Sequence, residues 1–302
     1  MTVLLILLLT LALFLLTITA ILFVVGPTLL LKPRRRTAEF YRGLGRPASP
    51  AEAGLRCEEI IIRTPDGLAL DSWLVKAERP ARGTVIYLHG VADCKIDGIA
   101  LARLFRDNRY HVFLYDARRH GESDGLFCTY GYYEKNDVVT VIDYLRSRPD
   151  VAGSPIALFG TSMGAAVAIQ AAAIDPRVRA VVAENSFATL RSIFDDYQRR
   201  MIKLPFHYLR NLVIKRSELI ARFRASAVSP LEAVRNISIP LLVVAGERDT
   251  LIDSGYSRRL FEAAAEPKEF YSIPGASHSD TWAVAGREYE ERILGFLQRS
   301  LL

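Results

Sequence analysis

Gly160-Thr161-Ser162-Met163-Gly164 is the segment of this chain best suited to covalent chemistry. A serine flanked in this way can sit in a tight strand-to-helix turn, where neighbouring backbone crowds the flanks and only glycine fits. Such a turn lifts the hydroxyl above a sheet. It also sets the Met163 N–H at a helix start, where it can stabilise an oxyanion. The chemistry implied is attack on an acyl carbon, and it needs a base to take the hydroxyl proton. The same five residues also fit a glycine-rich turn with an N-capping serine. Their surroundings therefore have to carry the reading.

Those surroundings alternate. Glu58–Arg63 and Leu68–Lys76 read as a hairpin about Pro65-Asp66-Gly67. Thr84–Leu88, Tyr110–Tyr115, Pro155–Phe159, Val178–Ala183, Leu241–Ala245 and Glu269–Ile273 read as further strands. Ile96–Asp107, Tyr133–Ser147, Ser162–Ile174, a stretch near Ser257–Ala265 and Arg287–Leu302 read as helices. Runs such as Leu241-Leu242-Val243-Val244 are apolar without alternation, as strands covered on both faces should be. This order predicts a mostly parallel sheet with helices on both sides. Between Phe187 and Ser238 only helix-like sequence appears, with Pro205 inside it. That is too long for a connection and predicts a helical lid over about 187–238.

The first 31 residues stand apart. Val3 to Leu31 holds no charged side chain. Val3–Val25 as a helix would span about 35 Å, enough for a hydrocarbon core of about 30 Å. Gly26 and Pro27 are expected to break it. No basic region precedes the run, and it is longer than a signal peptide's core, so an uncleaved anchor is expected. Lys32, Arg34, Arg35 and Arg36 follow directly, which places the rest of the chain in the cytoplasm by the positive-inside rule. Residues 32–56 then read as a basic juxtamembrane linker and 57–302 as the folded domain.

In that order, His89-Gly90, Asp116-Ala117-Arg118-Arg119-His120-Gly121-Glu122-Ser123, the Ser162 turn, Gly246-Glu247-Arg248-Asp249 and His278 resemble the α/β-hydrolase superfamily. The likeness runs from about Cys57 to the C-terminus. It is greatest to the branch of lysophospholipases, monoacylglycerol lipases and serine aminopeptidases. It implies the α/β-hydrolase fold, a Ser162 nucleophile, an acid in the loop after Leu241–Ala245, and a base after the last strand. Asp249 matches the acid, with Glu184 second and Asp253 a further rival. His278 matches the base. The loop after Thr84–Leu88 matches the second oxyanion donor, the N–H of Val91 or else of Ala92. Asp116 and Arg118 are read as loop braces, as are His89 and His120. His111 reads as core or edge, and His207 as a surface residue of the lid. Aspartate would have to stand at Ser162 for a dehalogenase.

The balance of the chain narrows the partners. Its net charge is +6 and its sequence pI about 9.3. Arg191 to Arg224, Lys203 included, holds nine basic residues against three acidic ones, interleaved with Phe206, Leu209, Leu212, Val213, Leu219, Ile220 and Phe223. That pattern fits a solvated basic face or a lid lying on anionic headgroups. No recognition motif accompanies the charge, so nucleic acid is not expected. Cys57, Cys94 and Cys128 form neither a disulfide framework nor a metal cluster. No phosphate-binding or dinucleotide motif is present, so no cofactor and no metal is implied. The expectation is a membrane-anchored serine hydrolase of lipid-like acyl esters or thioesters. A peptidase and a non-catalytic tethered binding protein are the alternatives.

Overall fold

Side chains that alternate across a strand divide a core in two when both faces are covered. The computed structural model, which describes residues 2–78, 80–201 and 207–301, is built that way. A helix α1 (Thr2–Leu31) and a short α2 (Ala38–Gly43) precede the sheet. The hairpin β1 (Glu58–Arg63) and β2 (Ala69–Val75) follows, then β3 (Gly83–Leu88), α3 (Ile99–Asp107) and β4 (Tyr110–Tyr115). Next come α4 (Glu134–Ser147), β5 (Ile156–Thr161), α5 (Met163–Ala172) and β6 (Val178–Glu184). The insertion carries α6 (Leu190–Met201), α7 (His207–Ala221) and α8 (Pro230–Ala233). Then β7 (Leu241–Gly246), α9 (Ser254–Ala263), β8 (Lys268–Ile273), α10 (Thr281–Ala285) and α11 (Arg287–Leu301) complete the chain. Lys203, Pro205 and Phe206 of the expected lid lie outside the described residues.

The sheet order is β1-β2-β4-β3-β5-β6-β7-β8. Only β2 runs against its neighbours; the other adjacent pairs from β4 to β8 are parallel. Ile86, Leu158, Val181 and Val243 face one layer, with α4, α5 and α9. Val85, Phe159, Val182 and Val244 face the other, with α3 and α11. All are fully buried, and each such side chain contributes about 1.5–3 kcal/mol. The expected α/β-hydrolase fold is present.

One stretch differs from its sequence reading. The first helix does not break at Gly26-Pro27: it runs through Pro27 to Leu31. Pro27 and Leu31 are buried, and Leu31 O accepts the Cys128 N–H at 2.8 Å. Tertiary packing thus overrides the missing amide of Pro27. Residues 32–56 are docked on the domain. Tyr41 of α2 is buried in the same layer as α3 and α11, and Arg35 Nη1 donates to Gly121 O at 2.8 Å. Among the described residues α1 is the one helix long and apolar enough to cross a membrane, with a mean hydropathy of 2.9.

Candidate active site

Strand β5 and helix α5 meet at Ser162, which sits at φ 55° and ψ −117°. A non-glycine residue holds that conformation only when its surroundings impose it. Here both flanks do so. A Cβ on Gly160 would lie 2.3 Å from Gly164 O, and one on Gly164 would lie 2.0 Å from Leu88 O. The turn is therefore wedged against the end of β3. Ser162 Oγ does not cap α5, so its hydroxyl is free for other use. Gly164→Ala should lower unfolding stability by about 3 kcal/mol, because backbone rather than a flexible side chain blocks the methyl group. Gly153→Ala, where open space surrounds the position, is the control and should be near neutral in the same denaturant titration.

The hydroxyl meets an imidazole. His278 Nε2 lies 3.0 Å from Ser162 Oγ, and Nδ1 lies 2.6 Å from Asp249 Oδ2. The other Asp249 oxygen accepts the N–H groups of Leu251 and Ile252, both at 2.8 Å. Asp249 is thus a buried carboxylate with both oxygens engaged. Its acceptor character makes Nδ1 the protonated nitrogen and leaves the Nε2 lone pair for the serine proton. These three side chains come from the ends of β5, β7 and β8, the edge of a parallel sheet where sites form.

The rival acids are occupied elsewhere. Glu184 is buried at the end of β6, where Thr281 Oγ1 donates to one oxygen at 2.8 Å and Tyr289 OH to the other at 2.5 Å. Burial raises its pKa, against the two hydroxyl bonds. Asp253 caps α9, accepting the Gly255 N–H at 2.8 Å.

Over the serine passes the loop after β3. A Cβ on Gly90 would lie 3.5 Å from Ser162 Cβ, so Gly90 packs against the serine and Val91 and Ala92 follow it in the loop. Met163 is the first residue of α5, and its N–H is among the amides that a helix start leaves without an internal partner. His89 shapes this loop: Nε2 accepts the Ala117 N–H at 3.0 Å, so Nδ1–H donates to Gly90 O at 2.8 Å. Its ring packs 5.0 Å from that of His120, which accepts no charge readily, since burial pushes its pKa down to about 3. Burial lowers that of His89 as well. Asp116 receives Lys95 Nζ at 2.7 Å and the Glu122 N–H at 2.9 Å, while Arg118 grips Asp137. His111 is buried and accepts the Ala77 N–H at 3.1 Å, away from the serine. The His207 side chain is outside the described set.

Two positioning features escape a reading of the sequence. Asn185, at φ 52°, donates from Nδ2 to His278 O at 3.0 Å and accepts the Gly246 N–H at 2.9 Å. It therefore ties the loop bearing Asp249 to the loop bearing His278. A polar residue at the C-terminal end of a parallel strand is the signal that could have marked it. The second feature is the segment 32–56. Asp93, two residues past Val91, accepts Arg36 Nη1 at 2.7 Å and the Tyr41 hydroxyl. Burial, aided by the nearby Asp97 charge, pushes the Asp93 carboxyl up to about 7 despite Arg36.

Comparison with known proteins places this architecture. The family described as serine aminopeptidase, S33 matches residues 79–229. Protein bem46 of Schizosaccharomyces pombe is 30% identical over 255 residues, covering 82% of this chain and 79% of its own. The uncharacterised YqkD of Bacillus subtilis is 30% identical over 216 residues, 71% of this chain and 70% of its own. The Pyrococcus furiosus esterase Pf2001 shares the fold with a TM-score of 0.74 at 24% identity, over 90% of this chain and 99% of that one. The family match spans half the chain and the relatives most of it: the chain belongs to the serine aminopeptidase S33 family of α/β hydrolases.

Proposed function

We propose that this chain is a membrane-anchored serine hydrolase that cleaves a lipid-like acyl ester or thioester, with its folded domain in the cytoplasm. The observation that carries the reading is the continuous hydrogen-bonded line from Asp249 through His278 to Ser162 Oγ. As Ser162 Oγ bonds to the acyl carbon, its proton moves to His278 Nε2, and Asp249 supports the imidazolium. The carbonyl π pair becomes an oxyanion held by the N–H groups of Met163 and Val91. Collapse restores the carbonyl and expels the alcohol or thiol, which takes the Nε2 proton. Water then attacks the acyl-enzyme, gives its proton to Nε2, and the acid leaves as that proton returns to Ser162. No cofactor or metal enters these steps.

The lipid-like substrate class rests on the apolar α1 and on a basic insertion with interleaved apolar residues packed against it. A peptidase is the second reading, favoured by the serine aminopeptidase description of the matching family. The full chain in detergent, labelled with a fluorophosphonate and assayed on p-nitrophenyl esters, acyl thioesters and aminoacyl amides, tests both. Labelling with turnover of longer-chain esters or thioesters is the expected result. Preference for aminoacyl amides would establish the peptidase. Neither labelling nor turnover would leave a tethered binding protein.

A further inference from the structure

The long apolar helix and the insertion are packed together. A Cβ on Gly26 of α1 would lie 2.6 Å from Val213 Cγ2 of α7, so the two backbones come close there. The Arg216 guanidinium lies over the Phe23 ring at 4.8 Å. The contacts advance along α7 as they recede along α1, from Val213 at Gly26 to Arg216 at Phe23. Beyond Arg216, Leu219 is 63% exposed and Ile220 37%. Lys215 is also exposed. The opposite face of α7 is seated on the domain through Ile214, Ser217 and Ala221, and Tyr133 OH donates to Arg222 O at 2.6 Å. Tyr130 OH donates to Leu30 O at 2.9 Å. Tyrosines thus hold both the exit of α1 and the end of α7.

Length sets the depth of this contact. The 30 residues of α1 extend about 45 Å, against about 30 Å of hydrocarbon. Pro27 and Leu31 are buried against the domain, so the turns in excess of the core lie at this end and the near boundary falls around residue 22. Phe23 and Gly26 then lie at headgroup level, and α7 with them. Lys215 and Arg216 are at the height of the phosphates, while Leu219 and Ile220 point on toward the acyl chains. Each basic group near an anionic surface contributes about 1 kcal/mol.

We infer that α1 and α7 form one membrane-docking unit, in which the last turn of α7, Leu219 and Ile220, enters the near leaflet of an anionic bilayer. This rests on α1 being a membrane anchor and not on any assignment at Ser162. It goes beyond a tether: a helix of the insertion is fixed in height and orientation by the anchor itself.

Full-length protein reconstituted in phosphatidylcholine–phosphatidylserine vesicles with brominated acyl chains tests the inference. Leu219→Trp is compared with Leu8→Trp in α1 and with Ile174→Trp, an exposed site just past α5 and at the opposite edge of the sheet from Ser162. Fluorescence is read as the difference from the parent, which retains Trp73 and Trp282. Leu8→Trp and Leu219→Trp should each lose most of their added fluorescence to the bromines, and Ile174→Trp should keep it. Quenching of Leu8→Trp with Leu219→Trp behaving like Ile174→Trp would overturn the inference and leave the anchor standing. Leu219→Trp shielded from aqueous iodide but untouched by bromine would mean that a second copy covers α7, which also overturns it. Loss of quenching at Leu8→Trp would remove the anchor and the inference together. Hydrolysis is not a readout in any arm.

Discussion

Ser162→Ala should lower kcat by about five orders of magnitude or more and abolish fluorophosphonate labelling, while thermal unfolding stays near that of the parent. The size follows from the loss of the atom proposed to form the acyl bond; deleting such a nucleophile leaves only what binding and oxyanion donors supply. The mild effect on stability follows from the side chain's position. Among the described contacts, Ser162 Oγ makes one hydrogen bond, to His278 Nε2, and does not cap α5. The backbone constraints that hold φ at 55° come from Gly160, Gly164 and Leu88 and survive the change. Turnover of a short soluble ester within tenfold of the parent would mean that another group attacks the carbonyl.

How much of this is legible in the sequence differs from residue to residue. The Ser162 turn was readable because its requirement is steric and local: backbone passes where a Cβ of Gly160 or Gly164 would stand. The strands were readable because both sheet faces are covered, which leaves apolar runs without alternation. The partners of the imidazole were not settled in the same way. Glu184 and Asp249 both lie at the C-terminal ends of strands, on β6 and just past β7, and one sequence does not say which carboxylate turns toward His278. The answer depends on α10 and α11, whose Thr281 and Tyr289 claim Glu184. Asn185 is not legible locally because it joins two loops 61 and 93 residues away. The expected break at Pro27 failed for a related reason. Proline weakens a helix locally, but Gly26 on Val213 and Leu31 in the core are long-range contacts that no local rule contains. The same holds for residues 32–56, whose Arg36 and Tyr41 reach the loop over the serine only once the sheet has formed.

The choice between the two carboxylates has a measurable consequence. Asp249→Asn should lower kcat by about four orders of magnitude with little change in KM, as the loss of a triad carboxylate does elsewhere. The amide keeps an oxygen for the Leu251 and Ile252 N–H groups, so the loop is held as before. What changes is the group facing His278. An amide NH₂ turned toward Nδ1 makes that nitrogen the acceptor, and the proton then sits on Nε2. In that tautomer the imidazole presents N–H to Ser162 Oγ, 3.0 Å away, and cannot take the hydroxyl proton. Glu184→Gln is the matched control. Its oxygens receive Thr281 and Tyr289 hydroxyls, which can rotate to suit an amide, and neither ring nitrogen of His278 is spent on it. That variant should retain kcat within about tenfold, since a satisfied buried pair replaced by a near-isostere costs little when its partners can adapt. Steady-state kinetics on one soluble ester compares them directly. A large loss of kcat in Glu184→Gln with Asp249→Asn near the parent would transfer the acid's role to β6, and the short Asp249–His278 contact would then be a loop brace rather than part of the catalytic line.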